Sequence, residues 1–235
     1  MLKFNNSPER NTPYFGQSKW IGNIYNDLFS DKKDGFLVEI GVGHVFDWNL
    51  MGEPRILNEN EKFIRGESTT IELLENGWNG IYIEPIKEFL SYELKPLLKT
   101  LLSEEHFNKI SLCPYAASDY NGVLQIISEQ TLSTTTNKIV DEIKIPYNYN
   151  YRNIECKKTS EILKMYNCPR NVDVLSIDVE GHELSVLKGI DFSEHLFKLI
   201  FIEIDKTTLN EIIEILPKNY SLIKEDGLNA ALIYN

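Results

Sequence analysis

Two carboxylates stand two residues apart, Asp178 and Glu180, directly after the run Val172-Asp-Val-Leu-Ser-Ile177. Behind them comes Gly181-His-Glu183-Leu-Ser-Val-Leu-Lys-Gly189. The run is apolar at 172, 174, 175 and 177. That is too continuous for a half-solvated edge and right for a strand covered on both faces. The spacing predicts a strand over 172–177, an acidic turn over 178–181 and a short helix over 182–188 that Gly189 stops. Ligands of open parallel α/β sheets sit at the carboxyl ends of the strands. An acid placed there can take a proton, orient a hydroxyl or hold a divalent ion.

Other segments end on polar groups in the same way. Phe36-Leu-Val-Glu-Ile40 reads as a strand carrying Glu39 and running into Gly41-Val-Gly43. After the turn Asn79-Gly80, Ile81-Tyr-Ile-Glu84 reads as a second strand closed by Pro85. Residues 110–116 read as a third strand, ending in Ala117-Ser118-Asp119. The glycines let backbone approach a ligand closely. Glu84 has two oxygens for the two hydroxyls of a ribose, and Ser118 with Asp119 can reach an adenine amino group. Glu39, Gly41, Gly43, Glu84, Ser118 and Asp119 together describe a cradle for an adenosine-bearing cofactor. Glu39 has a competing reading as a structural acid bonding backbone amides. A fifth strand, Leu199-Ile-Phe-Ile-Glu203-Ile-Asp205, adds acids beside Asp178. Should Asp178, Glu203 and Asp205 converge, their hard oxygens would suit Mg²⁺.

The elements between must carry these ends to one place. Ile21, Ile24, Tyr25 and Leu28 fall on one helical face behind Ser18 as a candidate N-cap. Thr69-Thr-Ile-Glu72 reads as a capping box for a helix that Gly77 ends. A helical stretch over about 86–102 is expected to break at Pro96. Further expectations are a strand over 122–128, helices near 160–166 and 208–216, and two late strands, 220–224 and 229–234, joined at Asp226-Gly227. Alternating strands and helices imply a mainly parallel sheet with right-handed crossovers. The reading is an α/β, Rossmann-like fold, seven-stranded with a C-terminal antiparallel hairpin. Residues 1–34 form a helical lead-in and 35–235 the main domain. Residues 44–67 have no clear period and read as an inserted loop, a lid or binding segment.

Composition removes several functions. A net charge of −11 and a pI near 4.9 argue against a nucleic-acid groove, which needs clustered Lys and Arg. No apolar run is long enough for a membrane span, and the N-terminus lacks a signal-peptide core. Cys113, Cys156 and Cys168 form neither a disulfide framework nor a zinc pattern. A reduced, cytoplasmic setting is expected. The oligomeric state is not encoded in any pattern here.

A dinucleotide would need a third glycine before a helix, so that its pyrophosphate meets the helix N-terminus. The stretch Gly41-Val-Gly43-His44-Val45-Phe46 has none. S-adenosylmethionine carries no phosphate, and its cationic sulfonium suits an acid-lined pocket. An NAD(P)-type oxidoreductase and a non-catalytic S-adenosylmethionine-binding module are the competing readings. A ribose methyltransferase of nucleic acid is disfavoured by the acidic balance.

Over about residues 35–205 the chain resembles the FkbM family of S-adenosylmethionine-dependent methyltransferases. The likeness lies in Gly35-Phe-Leu-Val-Glu-Ile-Gly41, Ser68-Thr-Thr, Leu74-Glu-Asn-Gly-Trp78-Asn-Gly-Ile-Tyr-Ile-Glu84-Pro85 and Ala117-Ser118-Asp119. Most specific is Ser176-Ile-Asp178-Val-Glu180-Gly181-His-Glu183-Leu-Ser-Val-Leu-Lys-Gly189. The resemblance implies a class I methyltransferase fold and O-methylation of a sugar, glycan or small natural product. It carries the family's cofactor positions onto Glu39, Gly41, Gly43, Glu84, Ser118 and Asp119. The stretch 44–67 is inserted where the family passes quickly from glycine turn to helix. Asp178 is expected to assist transfer, with Glu180 beside it. Glu183 is read as favouring the helix N-terminus, His182 as a solvated helix residue and Trp78 as packing. His44, Trp48, Arg55, Arg65 and the tyrosines at 147, 149 and 151 are candidates for substrate contact.

Overall fold

The computed structural model describes residues 17–43, 68–128, 133–135, 151–204 and 208–235. His44, Trp48, Arg55, Arg65, Tyr147, Tyr149 and Asp205 lie outside those residues. Seven strands form the main sheet: β1 (Phe36–Ile40), β2 (Asn79–Ile83), β3 (Ile110–Cys113), β8 (Asn171–Ile177), β9 (Leu196–Glu203), β10 (Tyr220–Glu225) and β11 (Asn229–Tyr234). Their order is β10-β11-β9-β8-β1-β2-β3. Strands β9, β8, β1, β2 and β3 run parallel. The last two strands pair antiparallel to each other, and β11 pairs antiparallel to β9. Gly227 takes φ +90 at the hairpin between them.

Alternating strand residues feed two cores, as a sheet covered on both faces requires. Leu37, Tyr82, Val174 and Phe201 belong to one core. It holds Trp20, Ile21 and Tyr25 of α1 (Gln17–Phe29), Leu74 of α2 (Ile71–Glu75) and Leu98 of α3 (Lys95–Leu101). Val38, Ile83, Leu175 and Ile200 belong to the other. It holds Ile162 of α5 (Thr159–Met165), Leu187 of α6 (Glu183–Lys188) and Ile212 of α7 (Thr208–Ile215). A short α4 (Glu104–Phe107) precedes β3. Burying each such side chain contributes about 1.5–3 kcal/mol. Trp78 is fully buried and packs edge-on against Phe29, so it is a core residue as expected. No helix among the described residues is long and apolar enough to cross a membrane.

Three local expectations are corrected. The third strand stops at Cys113 rather than 116. Pro114 has no amide to continue the ladder, and the chain restarts as β4 (Ala116–Ser118) in a separate sheet. That sheet, ordered β4-β7-β5-β6, also contains β5 (Gly122–Ser128), β6 (Ser133–Thr135) and β7 (Tyr151–Lys158). Pro96 does not break its helix. It sits in the first turn of α3, where a missing amide costs little, and a π-helical turn, Phe89–Leu94, leads into it. Finally, the capping box at Thr69 does not form. The N-cap of α2 is Thr70, without a capping bond from its side chain, and the Thr69 amide that a capping box would give to Glu72 donates to Glu39 instead.

Candidate functional site

The carboxyl ends of β1, β2 and β8 lie side by side in the sheet, and their loops interlock. The amide of Gly41 donates to the Ile83 carbonyl (2.9 Å) and that of Asp178 to the Ile40 carbonyl (3.0 Å), extending both parallel ladders. Gly41 has φ +81, and a Cβ on it would fall 1.7 Å from the Asp178 carbonyl oxygen. Only glycine allows the first strand's turn to lie against the acidic turn. Two residues on, the Gly43 amide donates to Glu84 Oε2 (3.2 Å), while the Ile86 amide donates to Glu84 Oε1 (2.8 Å). These two bonds orient a carboxylate that is 4% exposed at the end of β2.

Glu39 is 2% exposed and its bonds run inside the chain. Its carboxylate accepts from the Thr69 amide (2.9 Å), Ser68 Oγ (2.7 Å) and Thr70 Oγ1 (2.6 Å). These contacts match the structural-acid alternative and pin the start of α2 to β1. Burial pushes its carboxyl above the ordinary value, and the three donors pull against that rise.

At the end of β8 the backbone is forced into a tight turn. Glu180 adopts φ +55 and Gly181 φ +99, a region that side chains other than glycine rarely enter. Glu183, the first residue of α6, holds it: its Oε1 accepts from the amides of Val179 (3.1 Å) and Gly181 (3.0 Å). The turn presents Asp178 and Glu180 beside Glu203, the last residue of β9. One carboxylate oxygen from each of the three lies within 4.8 Å of the others, and all three residues are half-buried. Clustered carboxylates of this kind can hold a cation or accept a proton.

Ser118 is fully buried at the end of β4. Its hydroxyl donates to Asp119 Oδ1 (3.2 Å) and meets His182 Nε2 at 3.1 Å. His182 is therefore not the solvated helix residue that its position suggested. It is half-buried at the N-cap of α6. Burial holds its imidazole below the ordinary value, with Glu183 and Asp119 opposing that fall. Gly189 works through space rather than conformation: a Cβ there would meet the Ser118 carbonyl oxygen at 1.9 Å.

The candidate residues thus form a row. Glu84 is at the β2 end, Gly41 and Gly43 at the β1 end, Asp178 and Glu180 at the β8 end and Glu203 at the β9 end, with Ser118 and Asp119 attached through His182. Sequence reading missed two members, the holding role of Glu183 and the link through His182. Both depend on a turn geometry that spacing does not reveal.

The family model for the methyltransferase FkbM domain matches residues 52–222. A search of curated proteins finds no match. Among solved structures, a methyltransferase FkbM from Methylobacillus flagellatus KT aligns over 86% of this chain at 18% identity, with a TM-score of 0.50. The chain spans 44% of the length of that structure. A human methyltransferase 10 domain containing protein aligns over 92% of this chain and 76% of its own, at 13% identity and a TM-score of 0.39. The likeness to the Methylobacillus structure is one of fold, a mostly parallel seven-stranded α/β sheet. With a family match over most of its length, the chain belongs to the FkbM methyltransferases.

Proposed function

We propose that the protein transfers the methyl group of S-adenosylmethionine to a hydroxyl of a sugar, glycan or small natural product, assisted by Asp178. The supporting observation is the row of strand ends. It joins a glycine turn, an oriented buried carboxylate and an acidic turn on one sheet edge. The donor set fits the cofactor. Glu84 would accept the ribose hydroxyls, Asp119 would accept from the adenine amino group, and Gly41 and Gly43 would let the methionine part pass close to backbone. Glu39 would serve the cofactor from behind, by holding residues 68–70 against β1. The sulfonium would then lie toward Asp178, where negative charge stabilises it.

In this reading the acceptor oxygen lies in line with the sulfur–methyl bond, about 3–3.5 Å from the methyl carbon. The oxygen–carbon bond forms as the sulfur–carbon bond breaks, and the electron pair stays on sulfur. The hydroxyl proton goes to the Asp178 carboxylate. Asp178, Glu180 and Glu203 offer hard oxygens suited to Mg²⁺, which when bound would make the acceptor hydroxyl more acidic.

Asp178→Asn keeps the shape and removes the base. Turnover, followed as labelled methyl transfer to a panel of sugars and hydroxylated natural products, should fall at least about a hundredfold. Affinity for S-adenosylhomocysteine should stay within about threefold, as befits a group used in the transition state. Near-wild-type turnover would remove Asp178 from the chemistry. Chelation with and without added Mg²⁺ in the same assay reports on the metal.

A further inference from the structure

His182 has no part in the methyl transfer described above, yet its imidazole is tied to the opposite wall of the site. The Ser118 hydroxyl is 3.1 Å from His182 Nε2 and 3.2 Å from Asp119 Oδ1. A serine hydroxyl has one proton to give, and an ionised carboxylate can only accept. Giving that proton to Asp119 assigns the imidazole Nε2–H as donor to the serine oxygen. This fixes the tautomer and gives the chain a direction, from imidazole to hydroxyl to carboxylate.

The backbone beneath that chain is fixed. The Ser118 carbonyl lies 3.3 Å from Thr159 Oγ1 and packs against Gly189. Thr159 is itself buried and gives its one hydroxyl proton to the nearer Val186 carbonyl (2.9 Å). What remains to be set is the rotation of the Ser118 hydroxyl and the direction of the exposed Asp119 carboxylate. The His182 donor sets the first, and the hydroxyl sets the second.

We infer that His182 is a positioning residue for adenine recognition: acting through Ser118, it presets the Asp119 carboxylate for the 6-amino group of the cofactor. This rests on the cofactor reading above and extends it to a residue outside the adenosine contacts. A carboxylate already held in its bound direction loses less freedom on binding. The arrangement also puts the residue that presets the adenine contact four residues from Asp178, the acid that assists transfer.

The test uses two ligands that differ at the 6-position. S-adenosylhomocysteine carries the amino group, and S-inosylhomocysteine has a carbonyl oxygen in its place. Isothermal titration calorimetry is run on the wild type, His182→Ala and His182→Gln, each checked for a cooperative melt. The wild type should prefer the adenosyl ligand. His182→Ala should weaken that ligand about tenfold and change the inosyl ligand by less than about twofold, so the preference collapses. His182→Gln can still donate an amide N–H to the serine oxygen, and should restore most of the preference. Equal weakening of both ligands, as a merely structural role would give, overturns the inference. So does an unchanged preference in His182→Ala. Failure of the wild type to bind S-adenosylhomocysteine would instead overturn the cofactor reading itself, so the two failures are distinct.

Discussion

At Glu39 burial and charge are directly opposed. The carboxylate is 2% exposed, and three donors from residues 68–70 offset part of the cost of burying it. Its carboxyl is nevertheless raised above the ordinary 4.5, chiefly by burial. Between 4.5 and the raised value the folded chain binds more protons than the unfolded one. Stability attributable to Glu39 therefore falls as pH rises through that window and levels off above it. Each unit of such a rise is worth about 1.4 kcal/mol. Glu39→Gln does not titrate. The stability of the wild type relative to Glu39→Gln should be greatest near pH 4.5 and shrink toward neutrality, measured by chemical denaturation across that range. A difference that grows with pH would contradict the assignment.

At the scale of elements, the acidic turn between β8 and α6 depends on Glu183. A left-handed residue such as Glu180 costs about 1–3 kcal/mol and persists only where neighbours over-determine it. The two amide bonds to Glu183 Oε1 do so here. Glu183→Ala should lose about 2–4 kcal/mol of stability, and turnover with it, because Asp178 and Glu180 lose their placement. Glu183→Gln keeps the accepting oxygen and should stay within about 1 kcal/mol of the wild type. Equal behaviour of the two variants in thermal melts and methyl-transfer assays would show that the turn stands without this side chain. The turn itself was legible in the sequence, because a continuous apolar run followed by acids and glycine has few other readings. Its fastening was not: nothing in the spacing says that Glu183 turns back to 179 and 181 instead of lying along its helix. The same holds at Ser118. Its place among strand ends was foreseen, but the switch at Pro114 into a second sheet follows from β4 pairing with β7, a partner some forty residues away. The capping box at Thr69 failed for a related reason, since a buried carboxylate on β1 competes for the same donors and wins.

Across the whole molecule, the lead-in helix closes one face of the sheet. Trp20 lies 5.5 Å from the Phe201 ring, donates its indole N–H to Asp226 (2.8 Å) and sits beneath Lys224. It thus ties the N-terminal helix to the C-terminal hairpin. The opposite face is closed by α5, α6 and α7, and the strand ends stay held between the two cores. Such a frame presents the row from Glu84 to Glu203 as a preformed surface, and preformed sites lose little to ordering when a ligand arrives. The central claim is that this row binds the methyl donor. It is tested most directly by thermal denaturation with S-adenosylhomocysteine in one arm and NAD in the other. At about a hundred times its dissociation constant, a ligand specific to the folded state adds about 2.7 kcal/mol, a rise of about 5–10 °C for a chain of this size. The account predicts that rise with S-adenosylhomocysteine and none with NAD. A rise with NAD alone, or with neither ligand, would contradict it.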